Sequence, residues 1–458
     1  MAKIVVQKFG GTSVQDADSM RRVMDIIRSH GIKRNLRPLV VLSACAGVTN
    51  SLIRISELAI LGKITDAQNE VAQLEARHFR IVQDLKLELR HEQEAQLALR
   101  LLWRDLRTVI RAVELLGEMT PKMKDKIVSC GELASTTIFA HGFRDQLKNQ
   151  DVLFLDAREF FVTDSNFTLA RPNVSAIKKK IKPIARKISE GAIGITQGFV
   201  GATERGETTT IGRGGSDFSA SIMGVAAEAV EIQIWTDVAG IFTCDPRIVP
   251  NAYAQESVSF SDASVMAHYG AKVLHPETIW PAIEAGIPVR VLSSKEPKLH
   301  GTTIVSSNED TPPVSGIAIT KNILLATLTS RFPLPQASVA SNIFSALEKK
   351  GIVPLASSLS FDSVSLSLDG KTSLSEVRVA IEKFATVELR SEMSLVTLVG
   401  HGLASSTGVA AKIFSALKKI PCQQISYGGL GNAISVVISS EKTDAAVKEL
   451  HKAFFGSK

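Results

Sequence analysis

The chain has 458 residues, 45% of them hydrophobic and 22% charged, a globular balance with room for about two to four domains and a core that needs no covalent staples. Its net charge of +7 permits an anionic ligand without demanding nucleic acid. The cysteines Cys45, Cys130, Cys244 and Cys422 lack CxxC spacing and neighbouring histidines, so neither a disulfide framework nor a zinc site is expected. No apolar run approaches the ~20 residues that cross a bilayer, and the first strand pattern starts within three residues of the N-terminus. The expectation is a cytoplasmic protein with reduced thiols and no membrane or nucleic-acid partner.

The first pattern is IVVQKFGGTSV at 4–14. A β-branched run reads as a buried strand, Gly10 and Gly11 break it, and Thr12, Ser13 and Asp16 offer caps for a helix carrying Met20, Val23, Met24 and Ile27. Strand, glycine turn and helix outline a phosphate cradle in which Lys8 reaches a terminal phosphate, or else a plain βα turn with a surface lysine. A second strand run, Leu39 to Ser43, feeds the small-residue loop ACAGVTN at 44–50, the position where α/β sheets bind ligands. Residues 66–116 read as a helical excursion closed by Gly117. Thr120 and Pro121 then cap a helix carrying Gly131 and Glu132, the latter either a surface carboxylate or a charge aimed into a site. The basic run at 178–187 alternates with Ile177, Ile181, Ile184 and Ile188 and reads as a solvated helix face.

Strands are expected at 152–155 and 192–199. After them comes TTTIGRGGSD at 208–217, whose composition a purely structural loop does not need. Arg213 can fork onto a carboxylate or phosphate, and Asp217 can cap a helix or hold an ammonium. The strand at 230–235 runs into WTDVAGIFTCDPR at 235–247, and GAKVLHP follows at 270–276 with Lys272 among small residues, a setting that by itself suggests a solvent-exposed lysine.

These four segments, in this order and spacing, resemble the aspartate kinases of the amino-acid kinase family, and the resemblance spans the whole chain. It implies transfer of the γ-phosphate of MgATP to the β-carboxylate of L-aspartate, giving 4-phospho-L-aspartate, the opening step toward diaminopimelate, lysine, threonine and methionine. It implies Lys8 and Asp217 as the catalytic pair, with the amides of Phe9, Gly10 and Gly11 beside the transferring phosphoryl. It implies Arg213 on the substrate α-carboxylate, Glu132 and Asp217 facing its ammonium, and Ser43, Thr49, Phe199 and Ser216 completing the pocket. Thr236, Asp237, Phe242, Arg247, Lys272 and Val273 would hold the nucleotide, with Phe242 standing where the family often has tyrosine. No side chains stand out as a metal cage, which suits Mg²⁺ held by phosphates and water. A catalytically inactive amino-acid sensor and another amino-acid kinase are the alternatives.

The last third repeats itself. IFSAL at 343–347 recurs at 413–417, and the strand runs at 324–330 and 394–400 keep the same offset of 70 residues, so two βαββαβ-sized units are expected. They resemble tandem ACT domains that pair across a homodimer and bind an effector amino acid. Relatives inhibited by lysine carry two acidic positions where this chain has Leu355 and Phe361, so weak or altered lysine feedback is expected. The expected architecture is a three-layer α/β/α sandwich on a mostly parallel sheet at 1–300, a polar linker at 301–315, and ACT modules at 316–391 and 392–458.

Overall fold

The computed structural model describes residues 2–456 apart from 213, 272–275, 308–312, 331–335, 384, 404–405 and 428–431. The chain divides into two compact units, residues 1–240 with 274–306, and 241–273 with 307–458.

In the first unit the expected α/β/α sandwich is found. Its strands are β1 (Lys3–Phe9), β2 (Leu36–Leu42), β3 (Val152–Leu155), β4 (Val162–Thr163), β5 (Ile193–Gln197), β6 (Val200–Thr203), β7 (Thr208–Thr210) and β8 (Glu231–Thr236). The main sheet runs β3-β5-β2-β1-β8, followed by Val289–Ser293 and Thr302–Val305. Every pairing is parallel up to Val289–Ser293, and Thr302–Val305 turns back antiparallel. A parallel sheet must be covered on both faces, which is why its strands read as near-continuous apolar runs. In β2, Val40 and Leu42 enter a core with Met24, Trp103, Phe139 and Phe143. A side chain added at Gly194 would meet Leu39 and Ile188, which marks the opposite face.

The α-helices up to residue 226 are α1 (Ala17–Ile26), α2 (Val48–Ile60), α3 (Ile64–Leu85), α4 (Leu89–Leu116), α5 (Pro121–Val128), α6 (Cys130–Gln146), α7 (Ala157–Phe160), α8 (Val174–Ser189) and α9 (Gly215–Ala226). Asp16 caps α1, its carboxylate accepting from the Ser19 amide, and Thr120 caps α5 with proline at its first turn. Two expectations change. The excursion at 66–116 is two helices, parted at Lys86 with φ +55°, and the helix expected to run from Pro121 through Glu132 breaks at Ser129. The basic stretch forms α8, with Ile177, Ile181 and Ile188 buried.

The second unit carries the repeat. Its sheet places Ala356–Leu359, Ser363–Asp369, Gly316–Ser330, Ala385–Val399, Ala433–Ser439 and Gln424–Tyr427 in that order, with the two 15-residue strands antiparallel at the centre. Each long strand bends at a left-handed residue, Asn322 (φ +57°) and Glu392 (φ +56°), positions 70 apart like the helical repeat. The bends let each strand serve both halves: Ile317 packs with Ile413 and Leu450, while Ala385 packs with Ile343 and Leu366. The segment 241–273 groups with this unit for a visible reason. Cys244, Ile248 and Val249 join the same core as Leu450, the Ile317 amide donates to Thr243 O at 2.7 Å, and the Thr243 hydroxyl lies 3.0 Å from His451 Nε2.

Candidate active site

Parallel pairing brings the C-terminal ends of β1, β2, β5 and β8 to one edge, with Phe9 beside Leu42 and Trp235 and Leu42 beside Gln197. The loops that leave these ends are stitched together by backbone bonds. Ser43 N–H donates to Phe9 O at 3.2 Å, Gly198 N–H to Leu42 O at 2.9 Å and Gly10 N–H to Trp235 O at 3.1 Å. A cleft of about 400 Å³ opens over this edge.

Lys8 stands one residue before the end of β1, with only 8% of its surface exposed, and its Nζ lies 2.7 Å from Asp217 Oδ1 in the first turn of α9. The contact is an ion pair, and that oxygen has no directed hydrogen bond among the described residues. The first turns of α9 and α2, behind Gly214 (φ +73°) and Gly47 (φ +82°), line the same cleft, and their backbone dipoles favour a bound anion there. Gly11 is required by close approach, since a β-carbon there would sit 2.7 Å from Ala44 O.

Glu132 is at 3% exposure on α6. The Ala44 amide donates to its Oε1 at 3.2 Å, while Oε2 has no hydrogen-bond partner among the described residues. Burial pushes its pKa up to about 8, against the smaller opposing effect of the Ala44 bond. Burial thus favours its neutral form in the free protein, and its side chain lines the polar cleft. Phe199 lines the cleft with φ +63°, a strained conformation for a residue with a β-carbon. It is held on both sides, its amide donating to Ser219 Oγ at 2.9 Å and its carbonyl accepting from Ile211 N–H at 3.1 Å.

Of the residues singled out in the sequence, Lys8, Gly11, Ser43, Thr49, Glu132, Phe199, Ser216 and Asp217 line this one cleft. Phe9 points its ring into the core against Trp235. Since the Gly10 amide is already bonded to Trp235 O, it is not a donor to a phosphoryl group in this arrangement. Thr236 ends β8 and Asp237 follows it, but neither is part of that lining. Phe242 and Arg247 belong to the second unit, where the exposed Arg247 guanidinium pairs with Asp245 at 2.7 Å. Arg213, Lys272 and Val273 lie outside the described residues.

Two supporting residues carry no signal in the sequence. Asp125, fully buried on α5, accepts from the amides of Thr168 and Thr210 at 2.9 and 3.0 Å and from the Thr210 hydroxyl, anchoring β7, the strand that precedes α9. Arg77 on α3 donates to the carbonyls of Ala46 and Gln15 and ties the loop after β2 to the start of α1.

Residues 3–293 match the amino acid kinase family and residues 396–454 match the ACT domain. The chain is 34% identical to lysine-sensitive aspartokinase 3 of Escherichia coli over 99% of its own length and 100% of that protein's. The chain belongs to the aspartokinases of the amino acid kinase family. It is also 32% identical to the aspartokinase of Chlamydia trachomatis, with 98% of each chain covered. Among solved aspartokinases, E. coli aspartokinase III in complex with lysine and aspartate superimposes with a TM-score of 0.86 at 33% identity, covering 99% of each chain. The same enzyme in complex with aspartate and ADP gives 0.78 at 32% identity, covering 99% of this chain and all of that one.

Proposed function

We propose that the cleft phosphorylates the β-carboxylate of L-aspartate with ATP, yielding 4-phospho-L-aspartate and ADP. A β-carboxylate, pKa ~3.9, is already an anion at pH 7, so an oxygen can attack the γ-phosphorus while the bond to the bridging oxygen of ADP breaks, with no proton to remove. Catalysis then consists of positioning and of neutralising charge on the transferring group. Lys8 supplies that charge from the strand end, leaving Asp217 as the phosphoryl arrives. Glu132 and Asp217 receive the substrate ammonium, Arg213 its α-carboxylate, and Ser43, Thr49, Phe199 and Ser216 shape the pocket. Thr236, Asp237, Phe242, Arg247, Lys272 and Val273 hold the nucleotide, with Gly11 beside its phosphates.

The cleft's carboxylates do not form a metal cage. Asp217 is matched by Lys8 and burial favours the neutral form of Glu132, which suits Mg²⁺ arriving on the nucleotide phosphates. When bound, the ion withdraws charge from the β- and γ-phosphates.

The observation that carries this reading is the shielded Lys8–Asp217 pair facing a fully buried, half-satisfied Glu132. ADP release measured with L-aspartate, L-glutamate and no acceptor tests it. Turnover with aspartate alone is expected, and equal rates in all three would refute it.

The C-terminal unit serves as an effector-binding and dimer-forming module. E. coli aspartokinase III was solved with lysine bound. Here Phe361 is 93% exposed and Leu355 carries no charge, so lysine's ammonium groups lack the acidic partners expected at those two positions, and we infer weak or altered lysine feedback. The free thiols at all four cysteines fit a cytoplasmic setting, and no helix among the described residues is long and apolar enough to cross a membrane.

A further inference from the structure

Away from the cleft, the first turn of α4 meets the C-terminal half of α6. His91 and Glu94 are one helical turn apart on α4 and so share a face, and His141 projects from α6 toward them. Glu94 Oε2 lies 3.7 Å from His91 Nδ1 and 3.5 Å from His141 Nδ1, and the ligand atoms of the three side chains all fall within 4.8 Å of one another. Both Nδ1 atoms are shielded from water and neither has a hydrogen-bond partner among the described residues. Two imidazole nitrogens close to one carboxylate oxygen, each without a hydrogen-bond partner among the described residues, leave a gap that a divalent cation can fill.

We propose that His91, Glu94 and His141 bind a Zn²⁺-class divalent ion that clamps the start of α4 to α6. Tetrahedral zinc with bonds of 2.0–2.1 Å sets its ligand atoms roughly 3.4 Å apart. Two of the three edges are therefore near their bound length already, and small side-chain rotations close the third. Imidazole and carboxylate without thiolate suit Zn²⁺, Co²⁺ or Ni²⁺, whereas Mg²⁺ prefers an all-oxygen shell, so this site is chemically separate from the nucleotide's metal. Solvent completes the fourth position, since Glu94 is partly exposed.

The surroundings bear on affinity in both directions. Burial holds His141 below the usual imidazole pKa, with Arg144 adding to the effect and Glu94 opposing it. Arg90 Nε donates to Glu94 Oε1 at 2.9 Å, leaving Oε2 turned to the histidines. The positive charges of Arg90 and Arg144 oppose a cation and so lower the expected affinity. Because the ion ties two helices and touches no substrate, its effect is on stability.

The test uses the full chain after EDTA treatment and dialysis. Zn²⁺ is titrated by calorimetry and by competition with a chromophoric chelator, in the wild type and in His91→Ala, His141→Ala and Glu94→Gln. Expected are one Zn²⁺ per chain, affinity lost about tenfold or more in each variant, and a melting temperature raised by Zn²⁺ but not by equal Mg²⁺ in the wild type only. Kinase activity without zinc, unchanged in the variants, certifies that they fold. Absence of stoichiometric binding, or equal binding in the wild type and His141→Ala, would overturn the proposal, as would an anomalous zinc peak at any other residues in a crystal grown with Zn²⁺.

Discussion

Replacing Glu132 by glutamine separates the cost of a buried acid from its use. In the folded protein burial raises its pKa from the 4.5 of a free glutamic acid to about 8. The sign of the linkage follows. Below about pH 4.5 the acid is neutral in both states and its contribution to stability is fully present. Between there and pH 8 the unfolded chain ionises while the folded one resists, so stability falls as pH rises. At ~1.4 kcal/mol for each pH unit, the ceiling on that loss is on the order of 5 kcal/mol, reached above pH 8. Glutamine mimics the neutral form at every pH and keeps the carbonyl that accepts from Ala44. Urea unfolding of Glu132→Gln is therefore expected to match the wild type near pH 4.5 and to exceed it by a few kcal/mol at pH 8.5. On the role proposed for Glu132 the same variant loses the charge that would meet the substrate ammonium, so KM for aspartate should rise ~10–100-fold. In the wild type kcat/KM for aspartate should climb as pH rises from 7 through 8, and in the variant that climb should vanish. Equal stability of the two proteins at pH 8.5, or an unchanged KM, would refute the reasoning.

Three further outcomes are expected. Asp125→Ala strands the Thr168 and Thr210 amides in the interior and should cost about 2–4 kcal/mol in unfolding, with activity lost through the displaced β7 and the start of α9; a variant as stable as the parent would mean the anchor is idle. Gly11→Ala pushes a β-carbon against the Ala44 carbonyl and should lower kcat/KM ~10–100-fold, a loss that steady-state kinetics would find absent if the loop yields freely. Steady-state assays of the purified enzyme with added lysine should show weak feedback, and strong inhibition at micromolar lysine would contradict the argument from Leu355 and Phe361.

Much of this was legible in the sequence because it is local. Apolar runs marked the parallel strands, the glycines and polar residues after β1 and β7 marked the loops over their ends, and the 70-residue offset reappears even in the backbone at Asn322 and Glu392. What stayed hidden depends on distant partners. Asp125 reads as one charge in a lysine-rich turn, and its meaning comes from threonines 43 and 85 residues away. Arg77 looks like any helix-surface arginine until it reaches Ala46 and Gln15. The segment 241–273 follows the kinase strand β8 without a break in composition, yet Cys244, Ile248 and Val249 find their core with Ile413 and Leu450. His91 and Glu94 carry a one-turn spacing, but the third member of that cluster lies 47 residues beyond Glu94, where no short motif could join them.

The role proposed for Lys8 is to neutralise a phosphoryl group moving to an aspartate carboxylate, and trapping the acyl phosphate with hydroxylamine measures it. With ATP, Mg²⁺ and L-aspartate the wild type should accumulate aspartyl hydroxamate, while Lys8→Met should lose at least about a hundredfold in kcat with a much smaller change in KM for aspartate. Hydroxamate formed equally fast by Lys8→Met, or not formed at all by the wild type, would contradict the account.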